Sequence, residues 1–240
     1  KFGNNLKITD FSSVEANYYN KEKFLNDVLI KKKNNNIKKF FVSLINDYKN
    51  NDQLLKSLSH SYKYSFNKKI LSKYKNNKNF KIIGMGGSNL GAEAIYNFLK
   101  CKKNFYFINN LQNSTKSIEN RSSTNIIISK SGNTLETIAN INLYLKKNDK
   151  NIIITEKKNN YLFNLASKIK CEIIEHNNFI GGRYSVLSEV GMVPAALMGY
   201  DEKKFKQFNY LIKNKFFVNS LIQNVGNLIL LSKKKQNSVI

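Results

Sequence analysis

Apolar positions along this chain follow two patterns, and the change comes near residue 80. Residues 1–78 are polar with helical spacing, interrupted by Lys/Asn-rich breaks near Lys31–Asn36 and Lys75–Asn79. Phe40, Leu44, Ile45 and Tyr48 recur as on one face of an amphipathic helix. Beyond residue 80, short apolar runs alternate with helical spacing. Phe80–Gly84, Phe105–Ile108, Asn125–Ile128, Asn151–Ile154 and Glu172–Ile174 read as strands. Asn89–Leu99, Thr134–Lys147 and Asn160–Ile169 read as helices. Strands without polar alternation, separated by helices, predict a parallel sheet covered on both faces. Right-handed crossovers make it doubly wound. The fold expected is α/β, with a doubly wound five-stranded parallel sheet.

Residues 181–199 read as a glycine-led loop followed by helix. Pro194, the single proline, is expected to break that helix and open the next helical segment. Residues 201–231 look helical, with Phe205, Phe208, Leu211, Ile212 and Phe216 roughly in phase. Asn237–Ile240 reads as the start of another strand, and the chain opens on Lys1 rather than Met. Both ends read as cuts in a longer protein. The expected division is a helical segment over 1–78, a sheet domain over 79–199, and a helical connection into a second domain over 200–240.

Composition narrows the function classes. The chain has 240 residues, 41% hydrophobic and 12% aromatic, which is enough to bury a core. No run approaches the roughly 20 apolar residues of a membrane helix, and Lys1–Asp10 lacks the apolar core of a signal peptide. Cys101 and Cys171 are the only two cysteines and lie far apart, which argues against a disulfide framework or a metal site. A cytoplasmic location is expected. The net charge of +24 comes almost wholly from lysines spread along the chain. Nucleic-acid surfaces favour arginine, yet only Arg121 and Arg183 occur. The abundance of Lys, Asn and Ile is that of an AT-rich coding bias, so neither a nucleic-acid partner nor a membrane is expected. The positive field would still draw in an anionic metabolite.

In so glycine-poor a chain, three neighbourhoods stand out. Gly84-Met85-Gly86-Gly87-Ser88-Asn89-Leu90-Gly91 lies between the first strand and its helix, where backbone can approach a ligand and free N–H groups favour an anion. It does not fit the dinucleotide fingerprint. Ser129-Lys130-Ser131-Gly132-Asn133-Thr134-Leu135-Glu136-Thr137 follows the third strand and gathers hydroxyls, an ammonium and a glycine at a helix start. That is phosphate-binding chemistry, with a plain helix cap at Thr134 and Thr137 as the rival. In the order 2-1-3-4-5, both loops face one crevice at the switch point. The third stretch, Gly181-Gly182-Arg183-Tyr184-Ser185-Val186-Leu187-Ser188-Glu189-Val190-Gly191, lets two glycines aim an arginine that can stabilise negative charge on oxygen. His60 and His176 lie outside all three and read as surface or core residues.

In this order, the three motifs resemble the glucose-6-phosphate isomerase family. The first two are shared with sugar-isomerase (SIS) domains at large, whose sheet order is flavodoxin-like. Residues Asn178–Gly199 are similar to the family's own signature segment. The resemblance covers about residues 80–240. It implies interconversion of glucose 6-phosphate and fructose 6-phosphate through a cis-enediolate, without a metal or organic cofactor, by a dimer. Carried onto these positions, Gly87 and Ser88 contact the sugar, and Ser129, Lys130, Ser131 and Thr134 hold the phosphate. Arg183 stabilises the enediolate, and Glu136 gives structural support. The family's catalytic Glu, and its ring-opening His and Lys, have no matching motif here, so the chain alone is expected to be inactive. The alternatives are a dual glucose/mannose phosphate isomerase, a non-catalytic SIS-domain phosphosugar sensor, and a plain nucleic-acid binder. The last leaves all three motifs unused.

Overall fold

The computed structural model describes residues 27–49, 55–99, 101–111 and 123–233. In chain order these form helix α1 (Asp27–Lys49), helix α2 (Lys68–Ser72), strand β1 (Asn79–Gly84), helix α3 (Leu90–Leu99), strands β2 (Asn104–Ile108) and β3 (Thr124–Ile128), and helix α4 (Leu135–Tyr144). Strand β4 (Lys150–Thr155), helix α5 (Tyr161–Ile169), strand β5 (Glu172–Glu175), helix α6 (Glu189–Met198) and helix α7 (Lys215–Lys233) complete them. The strands form one parallel sheet in the order β2-β1-β3-β4-β5. The expected fold class and strand order are both present.

Isoleucine explains why the sheet forms. β-Branched side chains suit an extended backbone, and successive residues point to opposite faces. Phe80, Ile82, Ile126, Ile128, Ile152, Ile154 and Ile174 therefore pack on one face with Ala92 and Ile95 of α3 and Val190 and Val193 of α6. Ile83, Ile108, Ile127 and Ile153 pack on the other with Ile141 and Tyr144 of α4 and Leu162 and Ala166 of α5. Each fully buried Ile is worth about 1.5–3 kcal/mol relative to exposure. The chain passes over one face on leaving β1 and over the other on leaving β3. The gap between their carboxyl ends is thus the switch point.

Contacts divide the chain into two compact units. The sheet lies in the unit Asn46–Tyr210, which is wider than the 79–199 expected. It takes in α2 and a single-turn 3-10 helix at Lys56–Leu58. In the other unit, Asn34 and Ile37 of α1 lie against Gly226 of α7.

Several helical expectations need correction. Lys31–Asn36 does not break a helix but lies inside α1. Lys and Asn cost a solvated helix only a few tenths of a kcal/mol each, and neither Pro nor Gly interrupts it. The packed face of α1 is also not Phe40/Leu44, since Phe40 is 71% exposed. Asn34, Ile37, Phe41 and Ile45 are the half-buried set, about one helical step away. Helix α4 stops at Tyr144, short of Lys147, because Leu145 turns extended and Lys146–Asp149 closes a turn. Pro194 does not open a helix but sits inside α6. The bond it forfeits is the one to the Val190 carbonyl, and burial of nearly the whole helix outweighs that loss. The helical stretch expected over 201–231 is a 3-10 helix at Glu202–Lys213 followed by α7. The strand expected at Asn237–Ile240 lies outside the described residues.

Candidate functional site

Two loops leave the sheet at the switch point. The loop after β1 makes a 3-10 turn over Gly86–Ser88. Gly86 has φ +53° and opens on empty space, a conformation that glycine adopts without strain. The loop after β3 is folded by its own hydroxyls. Ser129 Oγ accepts from Gly132 N at 3.2 Å, and Ser131 Oγ accepts from Asn133 N at 3.3 Å. Thr134 stands at the N-cap of α4, but its side chain makes no capping bond. Its Oγ1 instead meets Ser129 Oγ at 2.9 Å. The capping explanation for these hydroxyls therefore does not hold at Thr134.

Strand β4 supplies a third wall. Ser129 N donates to the Ile154 carbonyl at 3.1 Å and Glu156 N to the Lys130 carbonyl at 3.2 Å, extending the β3–β4 pairing past the strand ends. Asn160 caps α5, accepting from Phe163 N at 2.9 Å, and its Nδ2 donates to the Glu156 carbonyl at 3.1 Å. Gly132, at φ +70°, leaves no room for a side chain, since a Cβ there would fall 1.9 Å from Asn160 Oδ1. The result is a cavity of about 300 Å³ walled by Ser88, the hydroxyls and Lys130 of the β3 loop, Thr137, Glu156 and Lys158. Thr137 is 1% exposed, and its Oγ1 is buried without a hydrogen-bond partner. Hydroxyl donors, two ammonium groups and one unpartnered hydroxyl around so small a space suit a small polyanion.

The family model for phosphoglucose isomerase matches residues 28–239, nearly the whole chain. The chain belongs to the phosphoglucose isomerase family. It is 39% identical over 173 residues to glucose-6-phosphate isomerase of Borreliella afzelii, covering 60% of this chain and 32% of that protein. It is 37% identical over 152 residues to glucose-6-phosphate isomerase of Methanocaldococcus jannaschii, covering 56% of this chain and 37% of the relative. The chain thus spans about a third of the length of the curated relatives it matches. Among solved structures, a hypothetical protein of Thermus thermophilus superposes with a TM-score of 0.57 at 19% identity, over 84% of this chain and 52% of that one. That likeness concerns the fold alone.

Of the residues singled out in the sequence, Ser88, Ser129, Lys130, Ser131 and Thr134 line the same cavity. Gly87 and Arg183 do not. Gly87 is pressed against the third motif: a Cβ on it would lie 2.3 Å from the Gly182 carbonyl oxygen. Ser185 Oγ donates to the Gly182 carbonyl at 2.7 Å and lies 3.2 Å from the Gly87 carbonyl. Arg183 is exposed on the 3-10 turn Gly182–Tyr184, one residue beyond that contact. In this member of the phosphoglucose isomerase family, several motif glycines are packing residues as well as loop formers.

The motif-free stretch before β1 holds the third motif from behind. Tyr62 Oη donates to Glu189 Oε2 at 2.7 Å, Ser65 N to Glu189 Oε1 at 2.9 Å, and Tyr64 Oη to the Leu187 carbonyl at 3.3 Å. Burial and the Glu189 carboxylate push the Tyr62 hydroxyl far above its usual range, so it remains a donor. Lys206 donates to the Ser59 carbonyl at 2.7 Å and lies over the rings of Tyr62 and Tyr64. His176 is buried, with Nδ1 3.0 Å from the Asn177 carbonyl, and burial lowers its pKa. It is a core residue, as expected, and His60 is exposed.

Sequence reading missed Thr137, Glu156 and Lys158 as cavity residues. Their signal is positional: Glu156–Lys158 directly follows β4, and Thr137 lies in the first turn of α4. Among the described residues, no cluster of His, Cys, Asp or Glu could hold a metal ion, and no helix is long and apolar enough to cross a membrane.

Proposed function

We propose that this chain carries the phosphate-holding part of a glucose-6-phosphate isomerase, interconverting glucose 6-phosphate and fructose 6-phosphate. The carrying observation is that Ser88 of the first motif and Ser129, Lys130, Ser131 and Thr134 of the second wall one cavity at the switch point. In this reading the β3 loop holds the phosphate through its hydroxyls and Lys130, and the β1 loop meets the sugar. Moving a proton between C2 and C1 builds negative charge on the sugar oxygens, which a guanidinium stabilises. Arg183 supplies that group, tethered to the β1 loop through Gly182 and Ser185. The name of the Borreliella afzelii relative, glucose-6-phosphate isomerase, supports isomerisation of glucose 6-phosphate. The full-length enzyme works as a dimer in the cytoplasm, needs no cofactor, and binds neither nucleic acid nor membrane.

The test follows fructose 6-phosphate conversion by the full-length protein in a coupled dehydrogenase assay. Lys130→Ala is expected to raise KM by at least tenfold, and Arg183→Ala to lower kcat. No turnover by folded protein that still binds a phosphosugar would favour the sensor reading.

A further inference from the structure

The cavity contains a group that an anion site has no evident use for. Glu156 is 8% exposed and lines the same wall as the two lysines. Its Oε2 is ion-paired with Lys158 Nζ, and its Oε1 lies 4.0 Å from Lys130 Nζ. The second distance is too long for a hydrogen bond, so Lys130 is held by charge with its donors uncommitted. The Glu156 backbone is itself fixed beside the cavity by bonds to Lys130 and Asn160. A carboxylate this desolvated needs compensating cations, and the three side chains together carry one net positive charge.

We infer that Lys158 is a second cation of the phosphate site and that Glu156 is its built-in counter-ion, displaced as the partner of both lysines when phosphate enters. This rests on the reading of the cavity as a phosphate site. In the empty site Glu156 keeps the two ammonium groups close together, where they would otherwise repel. An incoming dianion takes over both, and the carboxylate beside it then works against binding. Glu156 therefore weakens phosphate binding and speeds release, while Lys158 strengthens binding. The handover is an exchange of ion-pair partners, with no covalent step. The effect falls on the phosphate group itself, so inorganic phosphate and a phosphosugar feel it alike.

Isothermal titration of the full-length protein with inorganic phosphate, and separately with fructose 6-phosphate, tests this. Glu156→Gln keeps the side chain's size and removes its charge. It is expected to tighten both ligands roughly tenfold, and Lys158→Ala to weaken both by a similar factor. Unchanged or weaker binding in Glu156→Gln would overturn the counter-ion role, as would unchanged binding in Lys158→Ala for the second cation. Should Glu156→Gln not fold, Lys158→Ala still decides: equal affinity with wild type sinks the inference. A wild type that binds neither ligand, or a Lys130→Ala variant that binds both as well as wild type, would instead remove the phosphate-site reading beneath it.

Discussion

Gly87 meets the backbone of Gly182 with no space for a methyl group on Gly87. The nearest obstacle is the Gly182 carbonyl oxygen, which cannot swing aside as a flexible side chain would. Gly87→Ala should therefore separate the β1 loop from the turn that carries Arg183. Overpacking of this kind costs about 1–3 kcal/mol. A fall in the urea midpoint, with faster amide exchange around Gly181–Ser188, is the expected result. Unchanged exchange there would show that the two loops are not coupled.

Gly132 and Gly86 both have positive φ, but only Gly132 is crowded. Alanine at Gly86 should cost about 1–2 kcal/mol, the strain of a left-handed alanine. At Gly132 it must also dislodge Asn160 from its cap, which is worth about 1 kcal/mol more. Thermal melts of the two variants should rank Gly132→Ala clearly below Gly86→Ala. It should also lose phosphate affinity, because a shift at Gly132 moves Ser129, whose Oγ accepts from Gly132 N, and the neighbouring hydroxyls that line the cavity.

Tyr62→Phe removes the hydroxyl that meets the buried Glu189 and little else. Leaving a buried carboxylate oxygen without its donor costs about 1–3 kcal/mol. Chemical denaturation should show that loss, and substrate KM should move less than kcat, since the stretch before β1 holds the motif that carries Arg183.

Lys206 gives the fold a distinctive response to pH. Burial lowers its pKa from 10.5 to about 8, with Glu189 and Glu202 pulling the other way. The rings of Tyr62 and Tyr64 and the Ser59 carbonyl complete its surroundings. Between about pH 8 and pH 10.5 the unfolded chain holds this proton and the folded chain does not, so its contribution to stability rises with pH. Measured against Lys206→Met, wild type should therefore gain relative stability between about pH 8 and pH 10.5. A constant difference in urea midpoint would mean that Lys206 does not titrate there.

The sheet was readable because isoleucine runs are nearly unambiguous: each of the five apolar segments became a strand. The phosphate-type loop was readable because hydroxyls, a lysine and a glycine are consecutive. Glu156, Lys158 and Thr137 were not, because their role depends on which strand ends lie side by side. The contact between the stretch before β1 and the third motif was hidden for the same reason: Tyr62 and Glu189 are 127 positions apart, and no local pattern joins them. Helix limits misled wherever packing overrode propensity, as at Pro194, or where a solvated Lys/Asn run carried a helix straight through.

Val186 of the third motif packs against Gly91 of the first and Gly191 of its own. A Cβ on Gly91 would strike its side chain at 2.8 Å, and one on Gly191 its carbonyl oxygen at 2.1 Å. Neither stretch is therefore a detachable module. Grafting Gly84–Gly91 onto another doubly wound scaffold would transplant half of a joint, and the recipient would need Gly181–Gly191 as well to give the loop its shape. The portable unit is the interlocked pair, which a cut-and-paste of either stretch alone would destroy.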